Sequence, residues 1–295
     1  MQFRQLTVVG VGLIGGSFAL AARRAGIAER VTGWDSREVL DRAIQLGVID
    51  AADRAFEEGR PSDADLVYVA APVGAIIEFL RNAGSSLNPG AIVTDAGSTK
   101  REICRAALES LPGHVRFVGG HPKAGSHNSG VEHADADLFR NAAYALVVNE
   151  SSDESQDAVD RIADVVRGIG ARPVTLTAEE HDRAVARLSH VPQLMATALA
   201  GSVLESDLRL AGPGFSEVMR LAASRWSVWQ DICRTNADEI GAALDEVMTA
   251  IGQMRSSISS GDFATVGTAF GDANGLMRRF QMASERDLRK ESTGD

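Results

Sequence analysis

The chain of 295 residues is poor in cysteine, has no excess of basic residues and has no long uninterrupted apolar run. Its two cysteines, Cys104 and Cys233, are too few for a disulfide framework and lack the spacing of metal ligands, so the sequence predicts no metal site and suits a reducing cytosol. The formal charge of -10 argues against a general nucleic-acid-binding surface, which needs clustered Lys and Arg. An anionic ligand would need cations placed locally.

No segment reaches the ~20 consecutive apolar residues that a membrane-spanning helix needs. The apolar run over 6–22, which follows Arg4, has the outline of a secretory signal, but glycines interrupt it and Arg23 follows it directly. The sequence therefore predicts a cytoplasmic protein with no membrane partner and no nucleic-acid partner.

The two parts of the chain differ in their hydrophobic pattern. Up to about Leu176, short β-rich runs alternate with amphipathic segments, which is the pattern of helices packed on both faces of a mainly parallel sheet. After Thr177 the remaining segments read as helices. The prediction is an α/β fold with a Rossmann-like dinucleotide-binding domain over 1–176, an all-α domain over 177–290 that forms a subunit interface, and a disordered tail over 291–295. The predicted strands are 6–9, 31–34, 66–70, 92–95, 115–118, 144–148 and 173–176, and the predicted C-terminal helices are 179–205, 214–223, 226–259 and 263–288.

A glycine-rich turn follows the first predicted strand. Gly10, Gly12 and Gly15 form the pattern Gly-x-Gly-x-x-Gly before a helix, and Asp35 follows Gly15 by twenty residues, at the end of the second strand. The first glycine allows a tight turn, the second lets a pyrophosphate approach, and the third lets the helix contact the strand. The pattern predicts dinucleotide binding, with a ligand-free turn as the alternative. The residues predicted to hold the dinucleotide are Gly10, Gly12, Leu13, Ile14, Gly15 and Asp35, with Ala71 and Pro72 after the strand over 66–70.

Asp35 also bears on which dinucleotide binds. Its carboxylate should accept hydrogen bonds from the adenosine ribose hydroxyls and repel a 2′-phosphate, which favours NAD over NADP. Arg37 points the other way, because a nearby guanidinium can accommodate that phosphate. NAD is the predicted cofactor, and the alternatives are NADP or a plain turn role for Asp35.

Two further loops lie at predicted strand ends, where open parallel sheets bind their ligands. Ser98 lies in Asp-Ala-Gly-Ser-Thr-Lys over 95–100 and is either a ligand-facing hydroxyl or the cap of the next helix. His121 lies in Gly-Gly-His-Pro-Lys-Ala-Gly-Ser over 119–126, which reads as a loop of small residues. Imidazole is the usual proton acceptor near neutral pH, so His121 is the candidate base, with a structural histidine as the alternative.

Taken in order, these motifs resemble the prephenate and arogenate dehydrogenases of tyrosine biosynthesis. The resemblance covers about 2–285 and implies oxidation of a cyclohexadienol ring alcohol, with hydride passing to the nicotinamide and the ring carboxylate leaving as carbon dioxide. The stretches that carry it are Gly-Leu-Ile-Gly-Gly-Ser over 12–17, the loops over 95–100 and 119–126, Ser-His-Val-Pro-Gln over 189–193, Gly-Phe at 214–215 with Arg220, and Trp-Gln-Asp-Ile over 229–232 with Asn236.

The resemblance also implies residue roles. His121 would draw the hydroxyl proton and Ser98 would bond near the same hydroxyl and orient the histidine, which makes both catalytic. His190 and Arg220 would bind the substrate, with the guanidinium gripping the ring carboxylate in two parallel hydrogen bonds. Because these residues come from both predicted domains, the site should lie in a cleft between them, and the helical domain should form a homodimer. His114, His127, His133 and His181 have no counterpart and read as surface or capping residues.

Lys123 departs from the family pattern, in which its position is commonly apolar. A cation two residues from the candidate base either contacts a carboxylate or phosphate of the ligand or points to solvent. The predicted substrate-binding set therefore also includes Lys123 and Ser126. Lys123 leaves open an amino-substituted prephenate of secondary metabolism, and the residues do not separate prephenate from arogenate; prephenate is preferred on frequency.

Two other functions compete with this one. A β-hydroxyacid or 6-phosphogluconate-type dehydrogenase shares the two-part architecture, but it would place a catalytic lysine in the helical domain, and no Lys occurs between Lys123 and Lys290. A protein that senses NAD without turning it over is the alternative outside the enzymes. A proton acceptor, a serine and a carboxylate-binding arginine together favour an enzyme.

Overall fold

The computed structural model describes residues 2–59, 62–125, 128–148 and 153–293. It divides the chain into two compact units, Met1–Ile240 and Gly241–Asp295. The first unit contains eight strands, most of them formed from apolar runs, and amphipathic segments between them form helices. In chain order the elements of this unit are β1 (Phe3–Val9), α1 (Leu13–Arg24), β2 (Ala28–Trp34), α2 (Arg37–Gln45), β3 (Ala51–Ala52), α3 (Ala55–Glu58), β4 (Leu66–Val69), α4 (Val73–Asn82), β5 (Ile92–Asp95), α5 (Arg101–Ser110), β6 (Arg116–Pro122), β7 (Ala143–Val147), α6 (Asp153–Gly168), β8 (Arg172–Leu176), α7 (Ala178–Val185), α8 (Val191–Ser202), α9 (Pro213–Ala222) and α10 (Trp226–Thr235).

The strands form one sheet in the order β3-β2-β1-β4-β5-β6-β7-β8. Neighbouring strands are parallel except β6 and β7, which run antiparallel. The chain reverses its direction of travel across the sheet between β1 and β4, and ligands of such sheets bind in the crevice beyond the carboxyl ends of the strands there. The sheet core contains the stacked rings of Phe18 and Tyr68, whose centroids lie 3.7 Å apart. The predicted doubly wound α/β fold is confirmed.

Helix α7 begins with a capping box in which Thr177 and Glu180 each accept a hydrogen bond from the other's backbone N–H. The helix predicted over 179–205 then contains a π turn, Ala186–His190, before α8 begins at Val191. The helix predicted over 226–259 is broken at Asn236, whose φ of -135° is not helical. These two interruptions were not visible in the apolar spacing.

The second unit holds most of α11 (Ala237–Ser260) and all of the described part of α12 (Phe263–Thr293). α12 continues three residues into the segment for which the sequence predicts a disordered tail. Large apolar side chains in this unit are exposed, among them Phe263 at 68% and Phe270 at 66%. None of the described helices is long and apolar enough to cross a membrane.

Candidate active site

A cavity of about 750 Å³ lies at the carboxyl ends of β1, β2 and β4. The turn after β1 lines one side of this cavity. Within the turn, Gly10 adopts a φ of +86°, a backbone conformation that favours glycine. A Cβ on Gly10 would collide with the carbonyl oxygen of Ala70, whereas a Cβ on Gly12 would meet nothing within 4 Å. Of the predicted dinucleotide-binding residues, Gly10, Gly12, Asp35, Ala71 and Pro72 line this cavity, and Leu13, Ile14 and Gly15 form the first turn of α1.

These residues fit a dinucleotide. No described side chain caps the N-terminus of α1, so its first amides are available to a phosphate, which a helix N-terminus also attracts by its dipole. The open space beside Gly12 lets a bulky group approach the backbone. Gly10 thus has the left-handed φ and Gly12 the open space that their predicted roles require.

Asp35 lies at the mouth of the same cavity and already holds the turn in place. Its carboxylate accepts hydrogen bonds from the backbone N–H of Val11 at 2.8 Å and of Ser36 at 2.6 Å. Each carboxylate oxygen can accept a second hydrogen bond, so the ribose hydroxyls still have acceptors. Arg37, two residues further along, forms an exposed ion pair with Asp41 at 3.8 Å.

The sequence predicts a strand over 115–118 followed by a loop that holds His121. In the structure β6 extends to Pro122, so His121 lies within the strand. β6 continues through two glycines because it pairs with β7 there, with His121 opposite Ala145. The imidazole is buried, with 7% of the residue exposed. Since β6 is parallel to β5, His121 lies near the carboxyl edge of the sheet, the edge that also carries the glycine-rich turn.

A chain of three side chains fixes the protonation of His121. His121 Nδ1 lies 2.8 Å from His181 Nε2, and His181 Nδ1 lies 2.8 Å from the Asp182 carboxylate. A carboxylate only accepts, so His181 Nδ1 carries the proton and its Nε2 is the acceptor for the N–H at His121 Nδ1. The lone pair of His121 is therefore on Nε2, and that atom is the one able to take a proton.

Both histidines are neutral near pH 7 because their surroundings penalise the charged form. Burial, and next the charge of Lys123, hold the pKa of His121 well below the usual 6.5. Burial also lowers the pKa of His181, against the opposing effect of Asp182. Burial pushes the pKa of Asp182 upward, but hydrogen bonds from His181 and from two backbone amides outweigh it and leave the pKa low. In this hydrogen-bonded series, His121 is a neutral base that is linked through His181 to the Asp182 carboxylate.

His190 lies at the end of the π turn and is 1% exposed. The Asn236 amide nitrogen lies 3.3 Å from His190 Nδ1 and donates to the Asp182 carbonyl at 2.8 Å, while the Asn236 amide oxygen accepts from Arg101 at 3.1 Å. Asn236 therefore donates to His190 Nδ1, which leaves the ring N–H on Nε2. Burial, followed by the charge of Lys123, lowers the pKa of His190 to about 4. His190 is a neutral hydrogen-bond donor.

Ser98 is half-buried in the loop between β5 and α5, and it does not cap the helix, which was its alternative role. α5 begins at Arg101, and the backbone amides of Lys100 and Arg101 donate to the Asp182 carboxylate at 2.7 and 3.0 Å. A residue from α7 therefore caps α5. This frees the Ser98 hydroxyl for another partner.

The other predicted substrate-binding residues, Arg220, Lys123 and Ser126, have fewer contacts in the structure or lie outside its described part. Arg220 is exposed on α9 and forms no side-chain hydrogen bond or ion pair with the described residues. α9 is tied to α8 because Gln193 donates to the carbonyl of Leu221 at 2.7 Å. Lys123 follows β6, and its N–H donates to the Ala143 carbonyl at 2.8 Å. Ser126 and His127 lie outside the described residues.

The sequence missed His181 and Asp182. His181 was read as a surface or capping residue, but it is 1% exposed and bonded to the candidate base. It lies 60 residues from His121, and a lone histidine on an amphipathic helix carries no local sign of such a contact. The adjacent pair His181-Asp182, both on a face that has to be buried, was the one available signal, since buried polar residues need partners.

The fold and the geometry of the site are those of a dinucleotide-dependent dehydrogenase, with a buried neutral imidazole at the carboxyl edge of the sheet. The family model described as the nucleotide-binding domain of prephenate dehydrogenase matches residues 18–175, and the model of the dimerization domain matches 177–271. The chain belongs to the prephenate dehydrogenase family.

Relatives agree with this membership. The prephenate dehydrogenase of Bacillus subtilis (strain 168) is 34% identical over 288 residues, which are 95% of this chain and 74% of the relative. A prephenate dehydrogenase from A. aeolicus, solved with hydroxyphenyl propionate and NAD+, superposes with a TM-score of 0.85 at 26% identity over 96% of this chain and 99% of that one. The arogenate dehydrogenase of Synechocystis gives 0.78 at 27% identity, over 94% and 99% of the two chains.

Proposed function

We propose that this chain oxidises prephenate with NAD and releases carbon dioxide, giving 4-hydroxyphenylpyruvate for tyrosine biosynthesis. The observation that carries the proposal is the chain from Asp182 through His181 to His121, which leaves a lone pair on His121 Nε2. This base lies at the sheet edge that carries the dinucleotide cradle. Family membership supplies the substrate class.

His121 Nε2 takes the proton of the ring hydroxyl as the alcohol is oxidised. The imidazolium that forms is stabilised by the Asp182 carboxylate, which acts through His181 in the manner of the carboxylate in a catalytic triad. Ser98 donates or accepts near the same hydroxyl, and its freedom from a capping role supports this. Such general-base catalysis contributes roughly 10²–10⁴-fold to the rate.

The anionic substrate needs cations in a protein whose formal charge is -10. Arg220 is proposed to grip the ring carboxylate with its two-pronged guanidinium, and its freedom from other described partners supports that role. His190 is proposed to donate from Nε2 to the substrate. Lys123 and Ser126 are proposed to lie beside the substrate carboxylates.

The cradle around Gly10, Gly12 and Asp35 would hold NAD, which accepts the hydride when bound. Asp35 orients the ribose through the acceptor capacity that remains on its carboxylate, and it disfavours a 2′-phosphate by charge repulsion. The exposed ion pair with Asp41 offers Arg37 a partner other than a 2′-phosphate, which supports NAD.

The direct test supplies prephenate and arogenate, each with NAD and with NADP, and follows the absorbance of the reduced nicotinamide. Prephenate with NAD should give the highest kcat/KM, and the His121→Asn variant should lose roughly 10²–10⁴-fold in kcat while still binding NAD in a calorimeter. Silence of the wild-type protein with all four pairs would contradict the proposal and favour the amino-substituted substrate. Unchanged behaviour of His121→Asn would favour a protein that only senses NAD.

The preference between prephenate and arogenate depends on contacts at the substrate's side-chain end, and one of the relatives is an arogenate dehydrogenase. We also infer a homodimer in the cytoplasm. The match to a dimerization domain and the exposed apolar side chains of the second unit support the homodimer.

A further inference from the structure

A buried ion pair lies directly behind the candidate base. Lys100 and Asp95 are both 0% exposed, and the Lys100 ammonium donates a hydrogen bond to the Asp95 carboxylate. Lys100 lies directly before α5, and its fully buried side chain is one of only three lysine side chains in the sequence. Removing two charges from water costs several kcal/mol per ion, and apolar side chains of similar volume are often at least as stabilising. Stability alone therefore does not explain the pair.

Both members of the pair hold Gly120. The Asp95 carboxylate accepts a hydrogen bond from the Gly120 N–H at 2.9 Å, and the Lys100 ammonium donates one to the Gly120 carbonyl at 2.7 Å. Main-chain pairing between β5 and β6 stops two residues earlier, at Val118. Beyond Val118, hydrogen bonds from these two side chains replace the main-chain hydrogen bonds between β5 and β6, and β6 pairs with β7 instead. Because Gly120 precedes His121, the pair fixes the backbone that carries the base.

The same pair closes the loop that carries Ser98. That loop begins at Asp95 and ends at Lys100, and the side chains at both ends bind Gly120. A Cβ on Gly120 would collide with the Asp95 carbonyl oxygen, so the two backbones are in close contact as well. Ser98 and His121 therefore lie on segments that are tied together at one point.

Lys100 also joins this clamp to the histidine chain. Its backbone N–H donates to the Asp182 carboxylate at 2.7 Å, and Asp182 holds His181, which holds the ring of His121. His121 is thus fixed at its backbone through the side chain of Lys100 and at its ring through the amide of Lys100.

We propose that Lys100, paired with Asp95, is a positioning residue for the dehydrogenation. It sets the placement of His121 Nε2 relative to Ser98 and so aligns the base with the substrate hydroxyl. The inference rests on the proposed function, because it takes His121 Nε2 as the atom that accepts the substrate proton.

The positive charge of Lys100 also affects the protonation of His121. Burial lowers the pKa of His121 most, followed by the charge of Lys123, and the charge of Lys100 lowers it further. Lys100 therefore also favours the neutral form of the base.

The test is the double variant Lys100→Met with Asp95→Asn, which preserves volume and leaves no buried charge unpaired. With prephenate and NAD, its kcat should fall about 10²-fold, since a misplacement of about 1 Å can cost that much. Its KM for NAD should not change, because the glycine-rich turn lies on other strands. Hydrogen exchange of the Gly120 amide should be slow in the wild-type protein and faster in the variant.

Lys123→Met is the matched control, because it removes a lysine charge two residues from His121 without touching Gly120. It should raise the KM for prephenate and leave exchange at Gly120 unchanged. If this double variant does not fold, Lys100→Gln with Asp95→Asn, which also leaves no buried charge unpaired and keeps a hydrogen-bonding group at each position, carries the same two measurements.

Each outcome has one reading. A wild-type protein that is inactive with all four substrate and cofactor pairs would remove the proposed function. An active wild-type protein together with a double variant of full kcat would overturn the role of Lys100 alone. Rapid exchange of the Gly120 amide in the wild-type protein would overturn the clamp without any variant.

Discussion

At the scale of single residues, the chemistry depends on which ring nitrogen of His121 carries a proton. The partner on Nδ1 decides this, because Asp182 can only accept and so orders the protons along the chain. The resemblance to the family pointed to His121 and Ser98, but the atom that we propose as base follows from the hydrogen bonds of His181 and Asp182.

The first prediction at this scale concerns His181. Replacing it by leucine removes the acceptor of the His121 Nδ1–H, so the ring loses its orientation and either nitrogen can carry the proton. We expect kcat to fall about 10–10²-fold with little change in the KM for prephenate, because the binding groups are untouched. The control is His133→Leu, which changes an exposed histidine and should keep wild-type rates. Equal rates in the two variants would contradict the histidine chain.

The second prediction concerns pH. The base must be neutral to act, so activity is present above its pKa and is lost as the pH falls through it. Since burial and Lys123 hold the pKa of His121 well below 6.5, kcat/KM should stay level down to pH 6.5 and fall only at lower pH. In Lys123→Met the fall should move to higher pH, because one of the charges that disfavour the imidazolium is gone. A midpoint at or above 6.5 in the wild-type protein would contradict the burial argument.

At the scale of elements, the π turn between α7 and α8 is what brings two histidines into one site. His181 and His190 are nine positions apart, and in a regular helix at about 100° per residue they would point in opposite directions. The π turn holds one extra residue, which reduces the angle between them to about 80°. Both side chains are buried, and Asn236 joins the two positions by contacting His190 Nδ1 and the carbonyl of Asp182.

The prediction at this scale is a deletion. Leu188 lies within the π turn and is 78% exposed, so removing it should restore a regular helix without loss of core packing. One of the two histidines would then rotate out of the site. Circular dichroism should show the helix content retained, while kcat/KM falls at least about 10²-fold. Leu188→Ala is the control and should stay active, and an active deletion variant would show that the π turn is dispensable.

The fold could be predicted because its signals are local. Each signal is contained in a short stretch of sequence: the strand and helix periods, the glycine-rich turn and the change of pattern at Thr177. Together they predicted the α/β class correctly. The end of β6 could not be predicted in this way. Two successive glycines are poor strand formers, and Gly119 and Gly120 are held in the strand by β7 and by the side chains of Asp95 and Lys100, which are tertiary contacts.

At the scale of the whole molecule, the second unit exposes large apolar side chains that recur every seven residues on α12 and therefore share one face of that helix. Phe263, Phe270 and Met277 on α12 are each more than half exposed. The family model that matches the helical part is that of a dimerization domain. A second copy of the chain is the partner that both observations favour.

The prediction here is that Phe270→Asp together with Met277→Asp separates the homodimer. Light scattering after gel filtration should give about twice the chain mass of 31.2 kDa for the wild-type protein and the chain mass for the variant. Gln281→Asp adds a charge to the same helix at a polar position and should remain dimeric. A wild-type protein that is monomeric at all concentrations would overturn the dimer.

Asp35 carries a consequence for how this protein can change its cofactor. The carboxylate that we propose discriminates against a 2′-phosphate also accepts a hydrogen bond from the Val11 amide of the glycine-rich turn. A first mutation toward NADP therefore weakens binding of either cofactor before a second mutation can create a phosphate contact. An Asp35 substitution that comes first would therefore lower activity with both cofactors. We expect relatives that use NADP to carry another hydrogen-bond acceptor for the Val11 amide.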